Sequence, residues 1–212
     1  MATDGQATVE QLIRRAEELD LNEIAFTEHV RRTSDYFADF AAGVRAARQK
    51  THVRVYIGIE AKAEDDQGTL DASPDILSQA EIVLGSVHRF PAGEGQWAAA
   101  GELEYGEAAR RELLLALGLL RHGAIDVLSH PGGMCQRAFG RFPDEFFEEI
   151  MRVSLERSIA IEINSSYTRN LDAFLTLCQK VNPFVSIGSD AHQLRELGAC
   201  REALRGRGIG CQ

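Results

Sequence analysis

At 212 residues and 44% hydrophobic composition, the chain can bury one substantial core and is short for two full domains. Its formal charge of −9, from 32 acidic against 23 basic side chains with no Lys/Arg-rich tract, lacks the footprint of sequence-independent nucleic-acid binding. Cys135, Cys178, Cys200 and Cys211 form no C-x-x-C pair, no charged-then-apolar leader opens the chain, and no apolar run nears the roughly 20 residues that cross a bilayer. The expectation is a single cytoplasmic domain over residues 1–212, with no membrane and no nucleic-acid partner.

The capping box Thr8-Val9-Glu10-Gln11 opens an amphipathic helix with Val9, Leu12, Ile13 and Ala16 on one face, ending near Asp20. A short apolar strand, Ile24–Phe26, precedes a helix over Ser34–Arg48 and the β-branched strand Val53–Ile59. The alternation continues with helix Pro74–Gln79, strand Ile82–Val87, helix Glu104–Leu120 and strand Ile125–Leu128. Helix Pro143–Arg157, strand Ile159–Ile163, helix Arg169–Lys180, strand Phe184–Ile187 and a last helix from Gln193 complete it. Pro91–Gly101, rich in Gly and Ala, reads as a loop. Strands alternating with helices imply a parallel sheet; so many units fit a closed barrel better than separate domains, with an open doubly wound sheet as the alternative. Because a capped helix comes first, the barrel is expected to lack its first strand and to carry an open seam with two unpaired strand edges.

The chemistry-bearing residues collect where those strands end. His29, His88, His130 and His192 lie at or just past the C-terminal ends of strands, the face on which parallel barrels build their active sites, whereas His52 and His122 precede strands. Glu60 and Asp190 occupy the same strand-end position. One strand-end histidine is usually an ordinary hydrogen-bonded residue. Four with two carboxylates on one face would be costly clustered polarity unless something such as metal satisfied it. Imidazole and carboxylate together suit zinc, manganese or iron, and paired ions suit phosphate ester hydrolysis. Glu162 is expected to point into the barrel as a supporting group, and Arg89, Arg137 and Arg169 follow strands and could grip phosphate oxygens. No G-x-x-x-x-G-K-[ST] or G-x-G-x-x-G run is present, and Gly85-Ser86-Val87-His88 is not a nucleophile elbow.

Five segments in order resemble the PHP (polymerase and histidinol phosphatase) superfamily over nearly the whole chain: Phe26-Thr27-Glu28-His29, Gly58-Ile59-Glu60, Gly85-Ser86-Val87-His88, Leu128-Ser129-His130-Pro131-Gly132 and Gly188-Ser189-Asp190-Ala191-His192. The resemblance implies an α/β fold of the distorted TIM-like (β/α)7 type. It makes His29, Glu60, His88, His130, Asp190 and His192 ligands of two or three divalent ions (Zn, Mn or Fe), with Asp4 of Thr3-Asp4-Gly5 a further ligand. It implies hydrolysis of a small phosphorylated metabolite, histidinol-phosphatase-like, by a metal-bound hydroxide. The family's opening H-x-H has no counterpart in this sequence. Two other readings stand beside this one: a non-catalytic or regulatory metal- or phosphate-binding relative, and an amidohydrolase-like metal hydrolase.

Overall fold

The computed structural model of the chain describes residues 5–93 and 95–210. In chain order its elements are α1 (Val9–Glu18), β1 (Glu23–Val30), α2 (Phe37–Arg48), β2 (Arg54–Lys62), α3 (Pro74–Gln79), β3 (Ile82–Ser86), β4 (Phe90–Pro91) and β5 (Trp97–Ala98). They continue with α4 (Tyr105–His122), β6 (Val127–Leu128), α5 (Gly133–Phe139), α6 (Asp144–Arg157), β7 (Ala160–Asn164), α7 (Leu171–Val181), β8 (Val185–Gly188) and α8 (Ala199–Arg205).

Among the described residues six strands form one sheet in the order β1-β2-β3-β6-β7-β8, and β4 and β5 form a separate antiparallel pair. Pairing is parallel for β1–β2, β3–β6, β6–β7 and β7–β8. Each of those pairs is joined by a connection carrying a helix, as parallel strands require. Among the described residues no strand precedes α1, and β1 and β8 are the first and last strands of that order.

Several boundaries differ from those expected. Strand β1 runs on to Val30 and so contains His29, and β2 contains Glu60. The expected loop Pro91–Gly101 carries strand β5 and a 3-10 turn; two-residue strands are too short for alternation to reveal them. Helix α5 occupies the stretch read as a turn after His130, because Gly132 and Gly133 mask its start. The last helix begins at Ala199, after a 3-10 turn at Leu194–Glu196.

The chain divides into two compact units. The first comprises Met1–Ala61, Ala72–Val83 and Ser189–Gln212. Its α1 opens with the reciprocal capping box, the Gln11 amide donating to Thr8 Oγ1 at 3.2 Å and the Thr8 amide to Gln11 Oε1 at 2.9 Å. Leu12, Ile13 and Ala16 turn inward from α1, Phe37, Ala41 and Val44 from α2, and Ile57, Ile59 and Ala61 from β2. Strand β2 is buried along most of its length, as a parallel strand covered on both faces should be. Gly58 lets the strands close: a Cβ there would stand 2.7 Å from the Ile82 side chain and 2.8 Å from that of Thr27. At the end of α1 the buried Arg201 of α8 donates to the carbonyl of Leu19 at 2.7 Å, a cation on a helix C-terminus.

The second unit comprises Lys62–Asp71 and Leu84–Gly188. Its core is Leu119 and Leu120 of α4, Ile150 and Met151 of α6, Ile161 and Ile163 of β7, and Phe147 edge-on to Phe174 at 5.1 Å. Each such side chain contributes about 1.5–3 kcal/mol of burial. Strand β8 departs from this pattern. Val185 is 48% exposed and Ile187 42%, after Phe184 at 56%, so this terminal strand presents apolar side chains to solvent.

Candidate functional site

In the first unit the register of β1 on β2 sets His29 directly beside Glu60. Register partners in a parallel pair project to the same face, and His29 Nδ1 lies 3.4 Å from the buried Glu60 Oε2. The Tyr36 hydroxyl donates to the carbonyl of His29 and fixes the chain where it leaves the strand. His192 stands nearby, its ring centroid 6.2 Å from that of His29. Its Nδ1 faces the Asp190 carbonyl at 2.8 Å, which assigns the proton to Nδ1 and leaves Nε2 as the electron-pair donor. Asp190 has φ of +47°, a left-handed conformation that a strand-end Asp tolerates better than most residues. Glu196 holds the turn by accepting from the amides of His192 and Gln193 at 2.9 and 3.0 Å.

In the second unit His88 and His130 face one another, Nε2 to Nε2 at 3.4 Å, their rings stacked with centroids 5.3 Å apart. His130 is buried and its backbone is left-handed, φ +26°. Its amide donates to Glu162 Oε2 at 2.6 Å, and its ring stacks on Tyr167 with centroids 4.3 Å apart. The Tyr167 hydroxyl accepts from Arg137 Nη1 at 3.0 Å, and the guanidinium lies 5.1 Å from the ring centroid. Arg137 is therefore tied to His130 through an aromatic ring. Arg89 and Arg169 stand exposed in the loops after β3 and β7, the Arg169 amide donating to Gln136 Oε1 at 2.8 Å.

Behind His130, the fully buried Glu112 of α4 accepts from the amides of Met134 and Cys135 at 3.0 and 2.8 Å. Those are first-turn donors of α5, whose own N-cap, Gly132, has no side chain to offer. Burial pushes the Glu112 carboxyl above the ordinary glutamate range despite these donors. The Cys135 thiol is raised far above the usual thiol range, first by burial and then by the neighbouring Glu112 charge, which removes it as a nucleophile.

The donor spacing can be tested against a metal ion directly. Two ligands at about 2.0–2.1 Å from one tetrahedral ion stand about 3.4 Å apart. Both the His88–His130 pair and the His29–Glu60 pair have that separation. For a hydrogen bond between two neutral imidazoles, 3.4 Å is long. Imidazole and carboxylate donors of this kind fit zinc, manganese or iron.

Tyr167 and Glu112 carried no functional weight in the sequence. Tyr167 follows β7 without periodicity to flag it. Glu112 did leave a signal, a carboxylate on the apolar face of a helix among Ala108, Ala109, Leu115, Ala116 and Leu119. Asp4 lies outside the described residues.

Comparison with known proteins adds three findings. The family model described as PHP domain matches residues 1–166. A probable phosphatase of Caldicellulosiruptor bescii is 26% identical over 204 residues, 91% of this chain and 76% of that protein. Two solved structures share the fold. A protein assigned as a histidinol phosphatase from Listeria monocytogenes aligns with TM-score 0.74 and 15% identity, over 94% of both chains. The histidinol phosphate phosphatase of Lactococcus lactis, solved with zinc, L-histidinol and phosphate, aligns with TM-score 0.66 and 19% identity, over 98% of this chain and 90% of that one.

Proposed function

From the premise that this chain belongs to the PHP domain family, we propose that it is a metal-dependent phosphoesterase acting on a small phosphorylated metabolite. The observation that carries the reading is the His88–His130 pair, two imidazole nitrogens at the 3.4 Å expected of ligands to one ion. His29, Glu60, Asp190 and His192 complete the proposed ligand set, with Asp4 a further candidate, for two or three divalent ions. When bound, such ions supply Lewis acidity toward phosphoryl oxygens and a nucleophile at neutral pH.

The residues of the chain position and recognise. Asp190 orients His192 through its carbonyl, Tyr36 secures the strand end at His29, and Glu112 secures the helix behind His130. Arg137, steadied by Tyr167, is the leading candidate to accept substrate phosphate oxygens, with Arg89 and Arg169 as further candidates. The protein from Lactococcus lactis makes histidinol phosphate the first substrate to try.

The test is elemental mass spectrometry of the purified chain before and after exposure to zinc or manganese, followed by phosphate release from histidinol phosphate and a panel of phosphomonoesters. Uptake of two or more ions with metal-dependent turnover, both lost in His88→Ala and His130→Ala, is expected. A folded protein that takes up no metal, or a His130→Ala variant of undiminished turnover, would sink the reading.

A further inference from the structure

His130 is strained where it matters. Its φ of +26° lies in the left-handed region that residues with a side chain seldom adopt, yet this turn aims its ring at His88. Such a conformation persists only where neighbours impose it. On one side Gly133 leaves the space that Tyr167 needs to stack on the ring, since a Cβ there would stand 2.8 Å from Tyr167 and 3.1 Å from His130 Nδ1. On the backbone side stands Glu162 of β7.

Glu162 is 5% exposed, and the His130 amide donates to its Oε2 at 2.6 Å, a short bond in the core of the unit. Asn164 Nδ2 stands 3.4 Å from the same oxygen. The neighbouring strand β8 is shaped around this carboxylate: a Cβ on Gly188 would fall 1.7 Å from Glu162 Oε1 and 2.4 Å from its carboxyl carbon. The backbone of Gly188 is ordinary for a strand, so the reason for a residue without a side chain there is space, and what fills the space is Glu162.

We propose that Glu162 is a positioning residue whose carboxylate latches the His130 backbone in its left-handed turn, holding the imidazole toward His88, and that Gly188 is the opening this carboxylate requires. The assignment rests on the reading of His88 and His130 as metal ligands. It goes further by naming the group that sets their spacing and by predicting that Gly188, on the neighbouring strand, controls it through that carboxylate. A buried carboxylate with no such task would be a liability in a sheet of apolar strands.

Three variants test this, Glu162→Ala, Glu162→Gln and Gly188→Ala, read out by metal affinity, phosphate release and hydrogen exchange at the His130 amide. Glu162→Ala should lower zinc or manganese affinity about 10–100-fold, the range for losing a group that orients a ligand. Glu162→Gln keeps an acceptor oxygen for the amide and should recover most of that loss, which a simple packing role would not require. Gly188→Ala should reproduce the Ala defect by displacing the carboxylate, and should add nothing in a Glu162→Ala background.

Hydrogen exchange separates this inference from the reading beneath it, because it needs no metal. The His130 amide should be slow in the metal-free wild type, fast in Glu162→Ala and Gly188→Ala, and slow again in Glu162→Gln. A wild type that binds no metal but shows this exchange pattern would overturn the ligand reading and leave the latch standing. Unchanged exchange in Glu162→Ala would overturn the latch, as would unchanged metal affinity in a variant whose His130 amide has been freed. Should Glu162→Ala fail to fold, Gly188→Ala and Glu162→Gln decide the question by the same readouts.

Discussion

Removing the Glu112 carboxylate perturbs the helix that follows His130 without touching a proposed ligand. Glu112→Ala leaves the amides of Met134 and Cys135 without their acceptors at 3.0 and 2.8 Å, and Gly132 has no side chain to replace it. Two hydrogen bonds to a charged group have a gross value of about 3–6 kcal/mol. Burial of the carboxylate, which also raises its pKa, offsets part of this. A net loss of about 2–3 kcal/mol follows, beyond a typical cap deletion. Glu112→Gln keeps one acceptor and sets an amide NH2 against the second donor, costing about 1–2 kcal/mol.

Urea denaturation of the metal-free protein measures both losses. The pH dependence gives the sign of the effect. A carboxyl whose folded pKa is raised contributes stability that is fully present below its unfolded pKa and is lost as pH rises through the folded value. The deficit of Glu112→Gln relative to wild type should therefore be largest in acid and narrow on passing from ordinary glutamate pKa values toward neutrality. An Ala variant within about 0.5 kcal/mol of wild type would refute the assignment of Glu112 as the cap of α5, and a deficit that widens with rising pH would refute the raised pKa.

Three further outcomes are expected. Tyr167→Phe removes the hydroxyl that accepts from Arg137 at 3.0 Å and should raise KM several-fold while leaving kcat nearly unchanged in steady-state phosphate release. Arg201→Ala strips a buried cation from the carbonyl of Leu19 and should cost about 2–3 kcal/mol in chemical denaturation, with metal stoichiometry unaltered. Val185→Lys places a charge on an exposed position of a terminal strand and should reduce light scattering at high concentration, with the unfolding midpoint shifted by no more than about 0.5 kcal/mol.

The strand-helix alternation was legible because each β-branched or apolar run is bounded by turn residues, and the Thr8 capping box stands as read. The strand-end position of His88 and His130 followed from the same reading, and the segment Leu128-Ser129-His130-Pro131-Gly132 spans the turn from which His130 faces His88. What lay beyond reach depends on contacts between distant segments. Helix α5 is short, opens on two glycines and takes its cap from Glu112, 21 residues before Gly133 in the chain, so no local pattern announces it. Tyr167 acquires its role only when β7 is laid beside β6 and its ring meets His130. The need for Gly188 is likewise invisible until β8 lies against Glu162.

The pairing of His29 with Glu60 has a practical consequence for anyone preparing this protein. Side chains alternate along a strand, so sliding β1 by one residue along β2 would turn His29 to the opposite face and break the donor pair, while leaving nearly as many backbone hydrogen bonds intact. Circular dichroism would scarcely distinguish the two arrangements. On the proposed ligand assignment, ion stoichiometry would: it reads strand alignment to a single residue, and a sub-stoichiometric fraction after refolding would count the molecules whose sheet has been assembled out of step.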